Sequence, residues 1–261
     1  MSSIIDIGWM ELFFSFSILI IPFVFFWKFD IRLTKNVLIS AVRMGIQLGL
    51  VALYLEWIFT LNNPWINTLW VGIMILVGVL TTIRRVALNW KIFLIPLAIA
   101  GLTSVFIVDA FYLGLIIQLE YIFDARYFIP ITGMILGNAL NHNIVGLTTY
   151  IKGLQEKSDL YYFLLINTNK RETALKPFIQ EAIIRALNPM IASMSVMGLI
   201  SLPGMMTGQI LGGSSPATAI KYQIMIMLAI FVGCSLNLFL SILMINRVIL
   251  DEKDQMIEKI K

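Results

Sequence analysis

The chain is written in apolar blocks of about 20 residues, the length a helix needs to cross the hydrocarbon core of a bilayer. Seven such blocks can be read, at about 9–27, 37–57, 65–83, 92–117, 128–149, 186–202 and 222–246. Composition agrees, with 59% hydrophobic and 13% charged residues, where a soluble domain carries about 45–50% and about 25%. In lipid every backbone polar group must be bonded within the chain, which leaves helices as the fitting element for blocks of this length. The expected fold is an all-α integral membrane protein, a single transmembrane domain over 1–261. The first block begins near Trp9 without a basic region before it and is too long for a signal-peptide core, so it is read as a span.

Charge placement orients the set, because basic residues in short connections remain cytoplasmic. With the N-terminus outside, only Arg126 and Lys221 of the 19 lysines and arginines fall on the outer side. A six-span count breaks this pattern. The expectation is seven transmembrane helices in the cell membrane, N-terminus outside and C-terminus cytoplasmic. The same placement assigns the net charge of +4 to topology and not to nucleic acid. Trp9, Trp57, Trp65 and Trp70 then lie at the outer edge, Trp27 and Trp90 at the inner one, as interfacial anchors in contact with lipid. The tail, 251–261, alternates acid and base and reads as a solvated helix end. No internal repeat supports an inverted-repeat transporter. Cys234 is the sole cysteine, which excludes disulfides and thiolate metal sites within one chain.

The longest connection, about 150–185, is cytoplasmic in this topology. Asn169 with Glu172 three residues on has the form of a helix start, opening KRETALK. That short helix is expected to end by Pro177, because a residue before proline is pushed out of the helical region, and Pro177 then begins a second helix. Phe178/Ile179, Ala182/Ile183 and Ala186/Leu187 repeat every four residues, with Gln180, Glu181 and Arg185 opposite, as an apolar stripe leading into the sixth span. Two readings stand here: an interfacial hairpin, or a lever in which Asn169, Lys170, Arg171, Glu172 and Lys176 dock a cytoplasmic partner.

Ionisable and amide groups within spans are costly and face protein or water. Arg43 and Gln47, four apart, share a face of the second span, where a path role competes with snorkelling of Arg43 to the inner surface. Asp109 lies in the outer half of the fourth span with no local partner, pointing to a path or helix–helix role. The fifth span holds PITGMILGNALNHN, 130–143. Gly133 and Gly137 offer a close-packing face, and Asn138, Asn141 and His142 add polar groups near the bilayer centre. One histidine among asparagines reads as hydrogen-bonded structure or, less economically, as one metal ligand. Methionines 190, 194 and 197, continued by Met205 and Met206, suit packing or a soft metal ion. Then SLPGMMTGQILGGSSP, 201–216, interrupts the apolar pattern with prolines, glycines and uncharged polar groups. Non-helical backbone at membrane depth must be satisfied by protein or a water-filled cavity. A break at Pro203-Gly204, a short helix, and a second break at Gly212-Gly213 suggest a re-entrant outer gate. Pro203, Gly204, Met205, Met206, Thr207, Gly208 and Gln209 would line it; an ordinary outer loop is the other reading.

No G-x-x-x-x-G-K-[ST], HExxH, CxxC or Ser/His/Asp set is visible, so neither nucleotide binding nor covalent catalysis is expected of this chain. Together, SVMGLISLPGMMTGQILGGSSPATAIKYQ at 195–223 and IPITGMILGNALN at 129–141 resemble two signatures of the FetB-type permeases, the membrane subunits of an iron-export ABC transporter. Plant aluminium-sensitivity half-transporters are similar, and the second span with Arg43 and Gln47 matches a weaker signature. The resemblance implies a seven-span permease working as a homodimer with a separate ABC ATPase subunit, with no cofactor bound directly and ATP used by the partner. The 169–176 helix would be its coupling helix, although LLINTNKRE departs from the small residues and glycine of relatives. The implied substrate is a metal ion such as iron; relatives are also linked to nucleotide sugars. A stand-alone channel or receptor-like seven-span protein is the alternative from another class.

Overall fold

The structure, a computed structural model, describes residues 7–251 and 255. Among them the chain forms nine helices and no strand, apart from an isolated bridge between Met197 and Ser201. In chain order they are α1 (Trp9–Lys28, with a 3₁₀ turn at Phe16–Leu19), α2 (Thr34–Leu61), α3 (Pro64–Val86) and α4 (Trp90–Asp109, continued by a π-helical turn to Ile116). They continue as α5 (Ala125–Glu156), α6 (Ser158–Thr168), α7 (Arg171–Val196), α8 (Gly204–Leu211) and α9 (Pro216–Ile249). Two compact units result, Met1–Leu61 with Leu211–Gly213, and Asn62–Ile210 with Ser214–Lys261.

The helix starts follow from local chemistry. Asn63, Asn89 and Asp124 each accept from the backbone N–H two residues on, at 2.9, 3.1 and 3.0 Å. Ser215 accepts from Thr218 at 3.2 Å, and prolines 64 and 216 occupy the first helical position, where a missing N–H costs nothing.

Five helices among the described residues are long and apolar enough to cross a membrane: α1, α2, α3, α4 with its π turn, and α9. They coincide with the first four and the last of the expected spans. The fifth expected span lies inside α5, whose Asn138, Asn141, His142 and Asn143 dilute its apolar character. The sixth is corrected: α7 stops at Val196, short of 202. There Gly198 adopts φ +84° and its N–H donates to the Ser201 carbonyl at 2.9 Å, closing a tight turn where a helix was expected. Of the tail expected to be helical, 252–254 and 256–261 lie outside the described residues.

In the larger unit α9 packs along α4 and α5, α3 lies against α4 and α5, and α5 also packs on α7. Ile226, Ile230, Leu238, Ile242, Ile245 and Ile249 form the buried stripe of α9. Lipid tails are as apolar as leucine, so association here rests on close packing. The tightest approaches are at Gly146 and Gly233. A Cβ there would stand 2.5 Å from Leu238 on α9 and 2.5 Å from Ile135 on α5, respectively. The expected Gly133/Gly137 face is half realised: Gly133 meets the methyl of Met74, whereas nothing lies within 4 Å of a Cβ at Gly137.

Candidate functional site

The stretch 201–216 folds as its punctuation predicts. Pro203 precedes α8, and its carbonyl accepts from the N–H and hydroxyl of Thr207 at 3.0 and 3.2 Å. After Leu211 the chain turns through Gly213 at φ +92°, and Ser214 N–H donates back to Gln209 at 2.9 Å. Met205 is partly buried against the core, and Met206 and Gln209 are half-buried. The Gln209 side-chain oxygen is buried and has no partner among the described residues. Gly204 and Gly208 are exposed, and a Cβ at either meets nothing within 4 Å. One face of α8 is therefore bare, and Gln209 supplies an unused carbonyl oxygen.

Arg43 and Gln47 are exposed and share a shallow groove on α2 with Leu38, Ile39, Val42 and Ile46. On α5, Asn138 and Asn141 are exposed. The Asn138 amide donates to the Met134 carbonyl at 2.8 Å, and His142 Nδ1 pairs with the Asn138 carbonyl at 3.0 Å. Among the described residues no hydrogen bond joins the α8 residues to Asn138 or Asn141. Asp109 does have a partner: Thr132 on α5 donates to its carboxyl at 2.6 Å, a helix–helix contact across 23 residues. Of the methionine stripe, Met190 is buried and Met194 packs on the core. Among the described residues no three of His, Cys, Asp and Glu cluster as metal ligands would.

The polar centre of the bundle lies elsewhere. Asn143 on α5 donates to Asn237 Oδ1 and, at 3.4 Å, to Ser241 Oγ, both on α9. Asn237 Nδ2 donates to Ser104 Oγ on α4 at 2.9 Å, and Ser104 donates to the Gly101 carbonyl at 2.9 Å. All four side chains are buried. Reading the sequence span by span missed this node, although Asn237 and Ser241, four apart in the last apolar block, were its visible signal.

The connection after α5 differs from expectation. Asn169 is the left-handed residue that ends α6, at φ +50°, and not the cap of the next helix. α7 starts at Arg171 with Lys170 before it, and runs through Pro177 without stopping. Ala174 and Leu175 before the proline, and Phe178 and Ala182 after it, are buried and hold both halves in line while Pro177 faces outward. The stripe at 178, 182 and 186 is as read. The first turn is not freely exposed either: the Arg171 guanidinium donates to the main-chain carbonyl of Asn246 on α9, while Lys170, Glu172 and Lys176 are exposed. Asn246 Oδ1 in turn accepts from the buried Tyr150 hydroxyl of α5. Three helices thus meet at Asn246. Nearby, Glu181 pairs with Arg185 at 2.9 Å and with Lys157 at 3.6 Å.

Residues 9–250 match the uncharacterised protein family UPF0014. A UPF0014 membrane protein of Synechocystis is 31% identical over 89% of the chain and 88% of the relative. The probable iron export permease protein FetB of Escherichia coli is 31% identical over 88% and 87%. Protein ALUMINUM SENSITIVE 3 of Arabidopsis thaliana is 29% identical over 76% and 71%. No solved structure matches the chain.

Proposed function

We propose, starting from the fact that the chain belongs to the UPF0014 family of membrane proteins, that it is the permease subunit of an ATP-driven exporter of a metal ion such as iron. A separate ABC ATPase subunit would supply the energy, acting on a permease homodimer. The observation that carries this reading is the match, over 88% of the chain, with a relative named as a probable iron export permease protein. Under it, α5 and α7 supply the fifth and sixth spans, and the N-terminus lies outside.

The geometry gives the reading a mechanism. α6 and the start of α7 form the cytoplasmic projection on which an ATPase subunit docks, through the exposed Lys170, Glu172 and Lys176. Arg171 then serves as a joint and not as a docking contact: it ties the projection to the end of α9, and Tyr150 ties α5 to the same residue. A push on α7 is delivered to two of the three helices that hold the buried amide node. At the outer end α8 lines the path, with the Gln209 carbonyl as a hard oxygen ligand of the kind that suits metal ions. Asn138 and Asn141, exposed on a membrane helix, face water or a second copy, consistent with a path wall.

Co-expression with the ATPase subunit tests the proposal. The expected results are a stable complex, ATP hydrolysis, lower iron content in cells carrying both subunits, and uptake of iron into inside-out vesicles only with ATP. A chain that moves ions without any ATPase is a channel, and transport of a nucleotide sugar in place of iron assigns another substrate. Cysteines beside Arg126 and Lys221 should react with an impermeant reagent from outside, and one at Ser158 should not; labelling of Ser158 would reverse the orientation.

A further inference from the structure

The amide node leaves one group unaccounted for. Asn143 is 7% exposed, yet its side-chain oxygen, Oδ1, is buried with no partner among the described residues. Burying such an oxygen unbonded in a membrane-embedded bundle forfeits its solvation without return. Beside it lies a cavity of about 30 Å³ lined by Asn143, Asn237, Thr82, Gly78 and Gly101 among others, where a single water needs roughly 10–15 Å³.

We propose that this cavity is a structural hydration site, occupied by one or two waters that donate to Asn143 Oδ1 and link α5 and α9 to α3. The chemistry of the wall selects water over an ion. Asn143 Nδ2 and Asn237 Nδ2 bring amide hydrogens to the node, which repel a cation. Asn237 spends one of those hydrogens on Ser104 and keeps another. Thr82 donates to the Gly78 carbonyl at 3.0 Å and retains lone pairs on its hydroxyl oxygen. The wall therefore mixes donors and acceptors, and water can answer both while an alkali cation answers only oxygens. The site does not depend on what the protein transports.

Two glycines of α3 give a test by sign. Gly78 lines the cavity and Gly72 does not; a Cβ at either meets nothing within 4 Å. Alanine at either position gains the same helix propensity, so Gly72→Ala serves as the baseline. A methyl at Gly78 that displaces a bonded water should lower the thermal midpoint of the detergent-purified permease below that of Gly72→Ala. A methyl entering unhydrated space should instead raise it to the baseline or above, and that result overturns the proposal. A high-resolution map of the wild-type permease in nanodiscs supplies the second measurement should Gly78→Ala fail to fold. It should show density at hydrogen-bond distance from the Asn143 amide and the Asn237 amide; an acyl chain in the cavity, or a node with no such density, refutes the site.

Discussion

Four glycines divide the molecule into two kinds of helix surface. Gly146 and Gly233 sit beneath Leu238 and Ile135, so closely that a Cβ would have to displace them. Gly204 and Gly208 sit on α8, where a Cβ would have nothing within 4 Å. The residue type is one and the physical use is opposite: contact in the bundle, clearance on α8. Spacing would have suggested the reverse. Glycines four apart are the usual sign of helix contact in membranes, and that spacing occurs at 45/49, 133/137, 204/208 and 208/212, while neither Gly146 nor Gly233 has a glycine four residues away. What marks a packing glycine is the large side chain that the partner helix brings to it, and that is a property of the fold.

The contrast can be broken by substitution. Gly146→Leu or Gly233→Leu should have the largest effect, lowering stability by about 3 kcal/mol, the upper range for overfilling a packed interior. Unfolding in mixed detergent micelles measures it, and wild-type stability in either variant would show that the contact yields cheaply. Next comes Asn237→Leu, which keeps the branching and heavy-atom count but removes the amide shared by Ser104, Asn143 and Ser241; about 2 kcal/mol should be lost. Tyr150→Phe removes one hydroxyl from Asn246 and should cost about 1 kcal/mol, while ATP hydrolysis by the assembled transporter continues with less export per ATP. An unchanged export-to-hydrolysis ratio would show that Asn246 is a structural joint alone. The smallest stability change, within about 0.5 kcal/mol, is expected for Gly204→Leu, Gly208→Leu and Gln209→Leu, each of which should nevertheless abolish export from vesicles. A loss of stability matching that of the bundle glycines would place α8 in packed protein.

Much of this architecture is legible in the residues themselves. Apolar block length finds the long helices, the 178/182/186 stripe finds the buried face of α7, and the Pro-Gly and Gly-Gly breaks find α8 to within a residue or two. Three features escape such reading for physical reasons. Pro177 argues locally for a helix end, but burial of Ala174, Leu175, Phe178 and Ala182 on one side outweighs the backbone preference. The turn at 197–201 carries no proline before Pro203 to announce it, only a glycine that takes a positive φ. The amide node joins Ser104 to Asn237 across 133 residues, a pairing that no local pattern contains. Of the candidate residues, those at 204–209 lie on a short helix between the two breaks, whereas Arg171 reaches the end of α9 and Asp109 acquires Thr132.

The contact between Arg171 and Asn246 has an electrostatic side. α9 is 34 residues long, and its aligned peptide dipoles leave a partial negative charge on the last carbonyls, which have no intrahelical donors. The guanidinium of Arg171 settles on one of those carbonyls from a different helix, and Arg247 in the same last turn adds a second positive charge. At this contact a charge is set against a dipole. Because it is partly buried, dissolved salt shields it far less than it shields the exposed pairs around Glu181. At rising ionic strength the outer ion pairs should loosen first, leaving α7 still fastened to the end of α9.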